Sequence, residues 1–156
     1  MADRPAPASQ APSIFIVHGH DEAALNSIRI YVLKVTGLMP VSLVEEAGRG
    51  QTIIEKFEAI GAEASFVIVL LTPDDVGQAN AAFQAKIAPD PRARQNVVLE
   101  LGYFIGKIGR ESVVVVDADV ERPSDLAGLS YVQYPGSNWK DSLRTELDAA
   151  GLIRTP

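Results

Sequence analysis

Three short runs in this chain are apolar on both faces: Ile14-Phe15-Ile16-Val17, Phe66-Val67-Ile68-Val69-Leu70-Leu71 and Val113-Val114-Val115-Val116. Side chains alternate across a strand, so a run without polar positions predicts a strand covered on both sides. Val41-Ser42-Leu43-Val44 predicts a weaker strand, and Tyr131-Val132-Gln133-Tyr134 a last short one at an edge. Helical spacing alternates with these runs. Leu25, Ile28, Val32 and Val35 recur on one helical face, and Gly37 follows as a stop. Thr52-Ile53-Ile54-Glu55 matches a capping box and opens a helix through Phe57 and Ile60. Asp90-Pro91 reads as an N-cap with proline at the first helical position, or the helix starts a few residues later. Val97, Leu101, Phe104, Ile105 and Ile108 then form one stripe at about 100° per residue. Trp139, Leu143 and Leu147 mark the last helix. The alternation predicts an α/β fold: a flavodoxin-like, doubly wound parallel sheet of about five strands, in the order 2-1-3-4-5, flanked by helices.

Composition bounds the reading. The 156 residues make one domain of ordinary size. Residues 1–12 are rich in Ala and Pro and read as a disordered tail or linker, leaving residues 13–154 as the folded domain. Apolar residues at 47% and charged residues at 22% fit a soluble globular protein. A net charge of -6 argues against nucleic acid or an anionic membrane as partner. It leaves room for a nucleotide substrate, since a few local arginines suffice for one pyrophosphate. With no cysteine there is no disulfide, thiolate metal site or Cys nucleophile, and a cytoplasmic location is the simpler reading. No apolar run approaches the ~20 residues of a membrane span, and the N-terminus lacks a basic-then-apolar export signal.

Ligands of such sheets bind outside the carboxyl ends of the strands, so the strand-end loops hold the candidates. They are His18-Gly19-His20-Asp21, then Glu45-Glu46-Ala47-Gly48-Arg49-Gly50-Gln51, then Thr72-Pro73-Asp74-Asp75, and finally Arg92, Arg94 and the helix that follows. Each has a plainer role. His18 and His20 are the only histidines, no third ligand has a motif-like spacing, and no metal is expected. His20 or Asp21 serves equally as a helix cap. Gly48-Arg49-Gly50 is too short for a phosphate-binding P-loop and also reads as a turn. Asp74 or Asp75 is expected to cap the next segment. Glu100 sits on the shoulder of the apolar stripe, in line with Asn96 and Lys107. Such a carboxylate is either a solvated boundary residue or a half-desolvated group held against a cleft. Gly102 and Gly106 share a face with Leu99, each at a cost of about 1 kcal/mol relative to Ala. That face is expected to pack closely on another backbone, in the domain or in a neighbouring subunit.

Four segments, in this order, carry a resemblance: residues 14–21, residues 50–57, residues 70–75, and Arg92-Ala93-Arg94-Gln95-Asn96 with the helix through Phe104. They resemble the bacterial TIR-like family of predicted nucleotide-binding proteins, found in cyclic-nucleotide-activated antiphage defence effectors. The resemblance covers roughly residues 13–152. It implies cleavage of NAD+ at the nicotinamide-ribose bond, giving nicotinamide and ADP-ribose or a cyclised form, with NAD+ as substrate and no separate cofactor. The family's catalytic glutamate falls on Glu100. The loop over residues 45–51, with Arg49 and Gly50, is implied to gate the site and join subunits. His18, Gly19 and His20 line the nucleotide pocket by the same analogy, and Asp74, Asp75, Arg94 and Asn96 complete the expected substrate-binding set. At Asn96 many TIR enzymes carry an aromatic or small residue. The resemblance also implies activity through self-assembly of TIR domains and a fused or associated cyclic-nucleotide sensor domain.

One carboxylate is enough for this chemistry. Most glycosidases use an acid and a second carboxylate. Nicotinamide leaves NAD+ neutral because its ring nitrogen already bears the positive charge, so no general acid is needed. A fixed carboxylate stabilises the ribosyl cation electrostatically, and Arg49, Arg92 or Arg94 offsets pyrophosphate charge. Three other readings stand beside this one: a TIR scaffold without activity, an enzyme like a nucleoside deoxyribosyltransferase with a carboxylate nucleophile, and a sensor that binds a nucleotide without consuming it.

Overall fold

The three all-apolar runs lie side by side at the centre of the protein. The computed structural model describes residues 11–43, 52–126 and 128–154. Strands β1 (Ile14–Val17), β2 (Phe66–Leu71), β5 (Val113–Asp117) and β6 (Ser130–Gln133) form one parallel sheet in the order β1-β2-β5-β6. Alternation divides their side chains between two cores. Ile14, Ile16, Ile68, Leu70, Val114 and Val116 pack with helices α1 (Glu22–Thr36) and α5 (Trp139–Ala149). Phe15, Val17, Val67, Val69, Val113 and Val115 pack with helices α2 (Ile53–Glu63) and α4 (Gln95–Ile108). This is the doubly wound sheet that the apolar pattern predicts.

Of the expected strand at residues 41–44, the described residues 41–43 form one parallel bridge, Val41 to Phe15, on the free edge of β1. Ile16 donates to the Val41 carbonyl at 2.8 Å and Val41 donates back to Ile14 at 3.0 Å. Pro40, just before it, has no N–H to extend the ladder. The bridge still puts this segment outside β1, so the order 2-1-3-4-5 holds, with its second strand a single bridge residue among the described residues. Except for residues 11 and 12, the expected N-terminal tail falls outside the described residues.

The Asp90-Pro91 expectation is corrected. Asp90–Arg92 is a short strand, β4, paired antiparallel with β3 (Asp75–Gly77). Pro91 is tolerated because a two-stranded ribbon asks little of its missing donor. Helix α4 starts at Gln95, with Arg94 as a cap that makes no side-chain capping bond. A five-residue helix, α3 (Asn80–Gln84), lies in the same excursion. Neither Asp74 nor Asp75 caps a helix: Asp75 opens β3, and the cap of α3 is Ala79. The capping box at Thr52 and Glu55 is formed, and Gly37 closes α1 in the left-handed conformation.

Among the described residues, nothing packs on the outer face of α4. A Cβ at Gly102 or Gly106 would meet no atom within 4 Å, and Leu99 is 69% exposed. No described residue of the domain packs closely on this face. Gly102→Ala is expected to stabilise the isolated chain by about 0.5–1 kcal/mol, read as a higher melting temperature in dilute solution. A lower melting temperature would mean that a neighbouring backbone occupies the face.

Candidate active site

The site grows from the carboxyl ends of β1 and β2. The chain leaves β1 through His18, half-buried, and Gly19, buried, and reaches Asp21, whose side chain accepts from the Ala24 N–H at 2.9 Å and starts α1. The His18 ring lies with Nδ1 at 2.8 Å from the Gly19 carbonyl. A carbonyl only accepts, so Nδ1 carries a proton, and in the neutral ring Nε2 is the acceptor. From β2 comes Thr72, 1% exposed, whose hydroxyl donates to Asp74 Oδ2 at 2.6 Å. The other oxygen, Asp74 Oδ1, accepts the His20 backbone N–H at 3.2 Å. The Asp74 carboxylate fills the space a side chain at Gly19 would need, so only glycine lets the two loops meet.

Helix α4 brings the third part. Val97, Leu101 and Phe104 anchor it in the core. On the α2 side, Tyr103 lies 4.3 Å from Phe57 between ring centroids, and Gly61 makes room for it: a Cβ there would come within 2.6 Å of the Tyr103 hydroxyl. Glu100 stands beside this contact, half-buried. No hydrogen bond reaches its carboxylate from the described residues. Loss of water pushes its pKa up to about 7, against the opposing pull of the Arg94 charge. Arg94 Nη1 in turn lies 2.6 Å from His20 Nε2.

Asp74, Gly19, His20, Arg94 and Glu100 thus form one continuous line from the β1–β2 edge to α4, with His18 next to it. Asn96 is exposed on the first turn of α4, one turn before Glu100. Asp75 lies apart, exposed in β3 and opposite Arg92. Arg92 is held by Glu121 at 2.6 Å. Arg49 and Gly50, like the rest of the 45–51 loop, lie outside the described residues. One contributor carries no motif in the sequence, Gly61, whose role is set by Tyr103 far along the chain. Thr72 belongs to the expected 72–75 loop and acts on Asp74 within it. Among the described residues no group of three or more His, Asp or Glu side chains is placed to hold a metal.

A concavity of about 480 Å³ lies on the other flank of α4, lined by Arg92, Gln95, Val98, Glu121 and Arg122 among others. Val98 and Glu100 project about 200° apart on the helix. Arg122 is tied to the buried Asp117 at 3.2 Å and lies 4.1 Å over the Tyr131 ring. Both arginines of this groove are therefore matched by carboxylates, whereas in the line leading to Glu100 the cation leans on a neutral imidazole.

The sequence model of the TIR domain of CAP12/Pycsar effector proteins matches residues 13–136, which include every described residue of the line above. The chain belongs to this TIR family. Its parallel sheet with helices on both faces is the TIR fold. Similar proteins include the uncharacterized protein YuaY of Escherichia coli (strain K12), 48% identical over 141 residues, or 89% of this chain and 46% of YuaY. Protein tirC of Dictyostelium discoideum is 33% identical over 128 residues, 78% of this TIR chain and 63% of tirC. The Pycsar effector protein PaPycTIR of Pseudomonas aeruginosa is 32% identical over 109 residues, 67% of this chain and 33% of that effector. The TIR chain thus spans between a third and under two thirds of the length of these relatives. Among its described residues no helix is long and apolar enough to cross a membrane.

Proposed function

We propose that this TIR domain is an NAD+ glycohydrolase of a cytoplasmic antiphage defence effector, with Glu100 as its catalytic carboxylate. The observation that supports this best is Glu100 itself: a carboxylate stripped of much of its water, without a hydrogen-bond partner among the described residues, on a helix anchored by a buried stripe. Such a group is poorly solvated as an anion and gains most when a cation forms beside it. The C1′–N bond of NAD+ breaks with its electron pair going to the nicotinamide ring, which leaves neutral. The positive charge left on the ribose is stabilised by Glu100. Water then adds to C1′ and loses a proton, giving ADP-ribose; attack by a second nucleophile of the same molecule gives a cyclised product. Arg94 offers the pyrophosphate a cation, and His18 Nε2 offers the ribose hydroxyls an acceptor. NAD+ is the substrate, and this chemistry asks for no further cofactor.

Relatives bearing the name Pycsar effector are about three times as long as the part they share with this chain. That length fits a second, cyclic-nucleotide-sensing domain, and we assign such a sensor, with self-association of TIR domains, as the means of activation. Incubation with NAD+ over a range of chain concentrations, read as nicotinamide by chromatography, tests the proposal. Specific activity should rise with concentration. Constant specific activity would refute activation by assembly. No loss of NAD+ at any concentration, even on a crowding matrix, would favour a scaffold, and base exchange on deoxynucleosides would favour the transferase chemistry.

A further inference from the structure

Arg94 is placed where two partners compete for it. It caps α4 without a side-chain capping bond, and the Glu100 carboxylate lies on the same helix close enough to feel its charge. Yet its Nη1 lies 2.6 Å from His20 Nε2, and no hydrogen bond or ion pair joins it to Glu100. A guanidinium carries donors only and stays protonated, so Nε2 of His20 must be the bare acceptor and the ring proton must sit on Nδ1. The ring is thus neutral with an assigned tautomer. The loop beneath it is secured twice, through the His20 N–H on Asp74 Oδ1 at 3.2 Å and through the buried Thr72 hydroxyl on Asp74 Oδ2 at 2.6 Å. Gly19 admits that carboxylate. An exposed histidine on a loop would ordinarily swing freely; this one is anchored through its own backbone.

We propose that His20 is a positioning residue that holds the Arg94 guanidinium off Glu100, keeping the carboxylate unpaired until an anionic ligand engages Arg94. The meaning of this arrangement rests on Glu100 as the working carboxylate, but the contact and its test do not. An arginine paired directly with Glu100 would neutralise the charge that a forming cation needs. Of the other charged groups, Asp74 acts on Glu100 only through His20, Lys107 lies two turns along the same helix, and Arg92 is engaged by Glu121.

The chain has two histidines, which makes the first readout clean. Long-range proton–nitrogen NMR of the full chain, without NAD+, should show His20 protonated on Nδ1 and bare on Nε2 at mildly alkaline pH. Arg94→Ala should convert it to the Nε2-protonated form favoured by free imidazole. The second readout is the Glu100 carboxyl carbon followed across pH and assigned with Glu100→Gln. In His20→Ala the freed Arg94 should pair with Glu100 and lower its titration midpoint by about one pH unit or more; Arg94→Ala should raise it. His20 is exposed, so its replacement leaves the core intact, and spectral dispersion verifies the fold. An unmoved Glu100 midpoint in His20→Ala, or a His20 tautomer indifferent to Arg94→Ala, overturns the proposal. The expected NMR changes in a chain that never consumes NAD+ would uphold the latch and remove only the glycohydrolase reading.

Discussion

Glu100→Gln is expected to lower nicotinamide release from NAD+ by about a thousandfold or more, with the fold intact. Glutamine keeps the shape and hydrogen-bonding reach of the side chain and removes only the charge. If Glu100 works by stabilising a ribosyl cation, charge is what matters, and the amide dipole is a poor replacement. The ionised form is the active one, so the wild-type rate should rise with pH through about 7, where the half-buried carboxyl titrates. Turnover by the Gln variant above roughly a tenth of the wild-type rate would end the assignment, since that loss is only about 1.4 kcal/mol of barrier. The same variant separates chemistry from folding. The Glu100 pKa is raised above its ordinary value of 4.5 by loss of water, so the fold prefers the neutral side chain. That preference stabilises the fold fully below the ordinary carboxylate range and is lost as pH rises through about 7. Glu100→Gln should therefore melt higher than wild type in alkaline buffer, with the difference vanishing in acid. An inactive variant that is also more stable cannot owe its inactivity to unfolding.

Phe104→Ala should cost about 3–5 kcal/mol and lower the melting temperature by roughly 10 °C. Phe104 is fully buried between the sheet and helices α2 and α4. Its ring lies 5.3 Å from Phe15 on β1 and 5.2 Å from Phe57 on α2, the latter edge-on. Truncation leaves a cavity between the sheet and two helices and removes both aromatic contacts. The loss should also reach the chemistry, because Phe104 lies one turn beyond Glu100 and sets the depth at which α4 rests on the sheet. Thermal denaturation followed by circular dichroism checks the size. A drop of only a degree or two would mean that this side of the sheet is loosely packed. Phe104→Leu, which keeps most of the volume, should recover much of the loss.

The central sheet was legible in the sequence because strands buried on both faces read as unbroken apolar runs, and helices α1, α2 and α5 because burial of one face leaves a period of 3.6. The excursion over residues 75–92 left none. Val76, Phe83 and Ile87 are 60–70% exposed, so their apolar character reports no core, and β3 and β4 are joined by backbone bonds that any residues can make. Asp90-Pro91 then imitated a helix start so well that the ribbon was hidden behind it. The candidate site divides the same way. Glu100, Arg94 and His20 stood out by residue type and by their place after strands. Their pairings did not: His20 finds Arg94, and Gly19 yields to Asp74, across long stretches of chain, where no local spacing records the contact.

The interlock of Gly19 and Asp74 has a bearing on how this domain can diversify. Two loops share one volume, glycine by vacating it and aspartate by filling it. Position 19 cannot gain a side chain unless the one at 74 moves. A descendant that gains any side chain at position 19 has to shorten or withdraw the one at position 74, and with it surrenders the peg that seats the His20 loop. Positions 19 and 74 should accordingly be inherited as a pair, and anyone transplanting the His-Gly-His loop into another α/β scaffold has to carry the aspartate along with it.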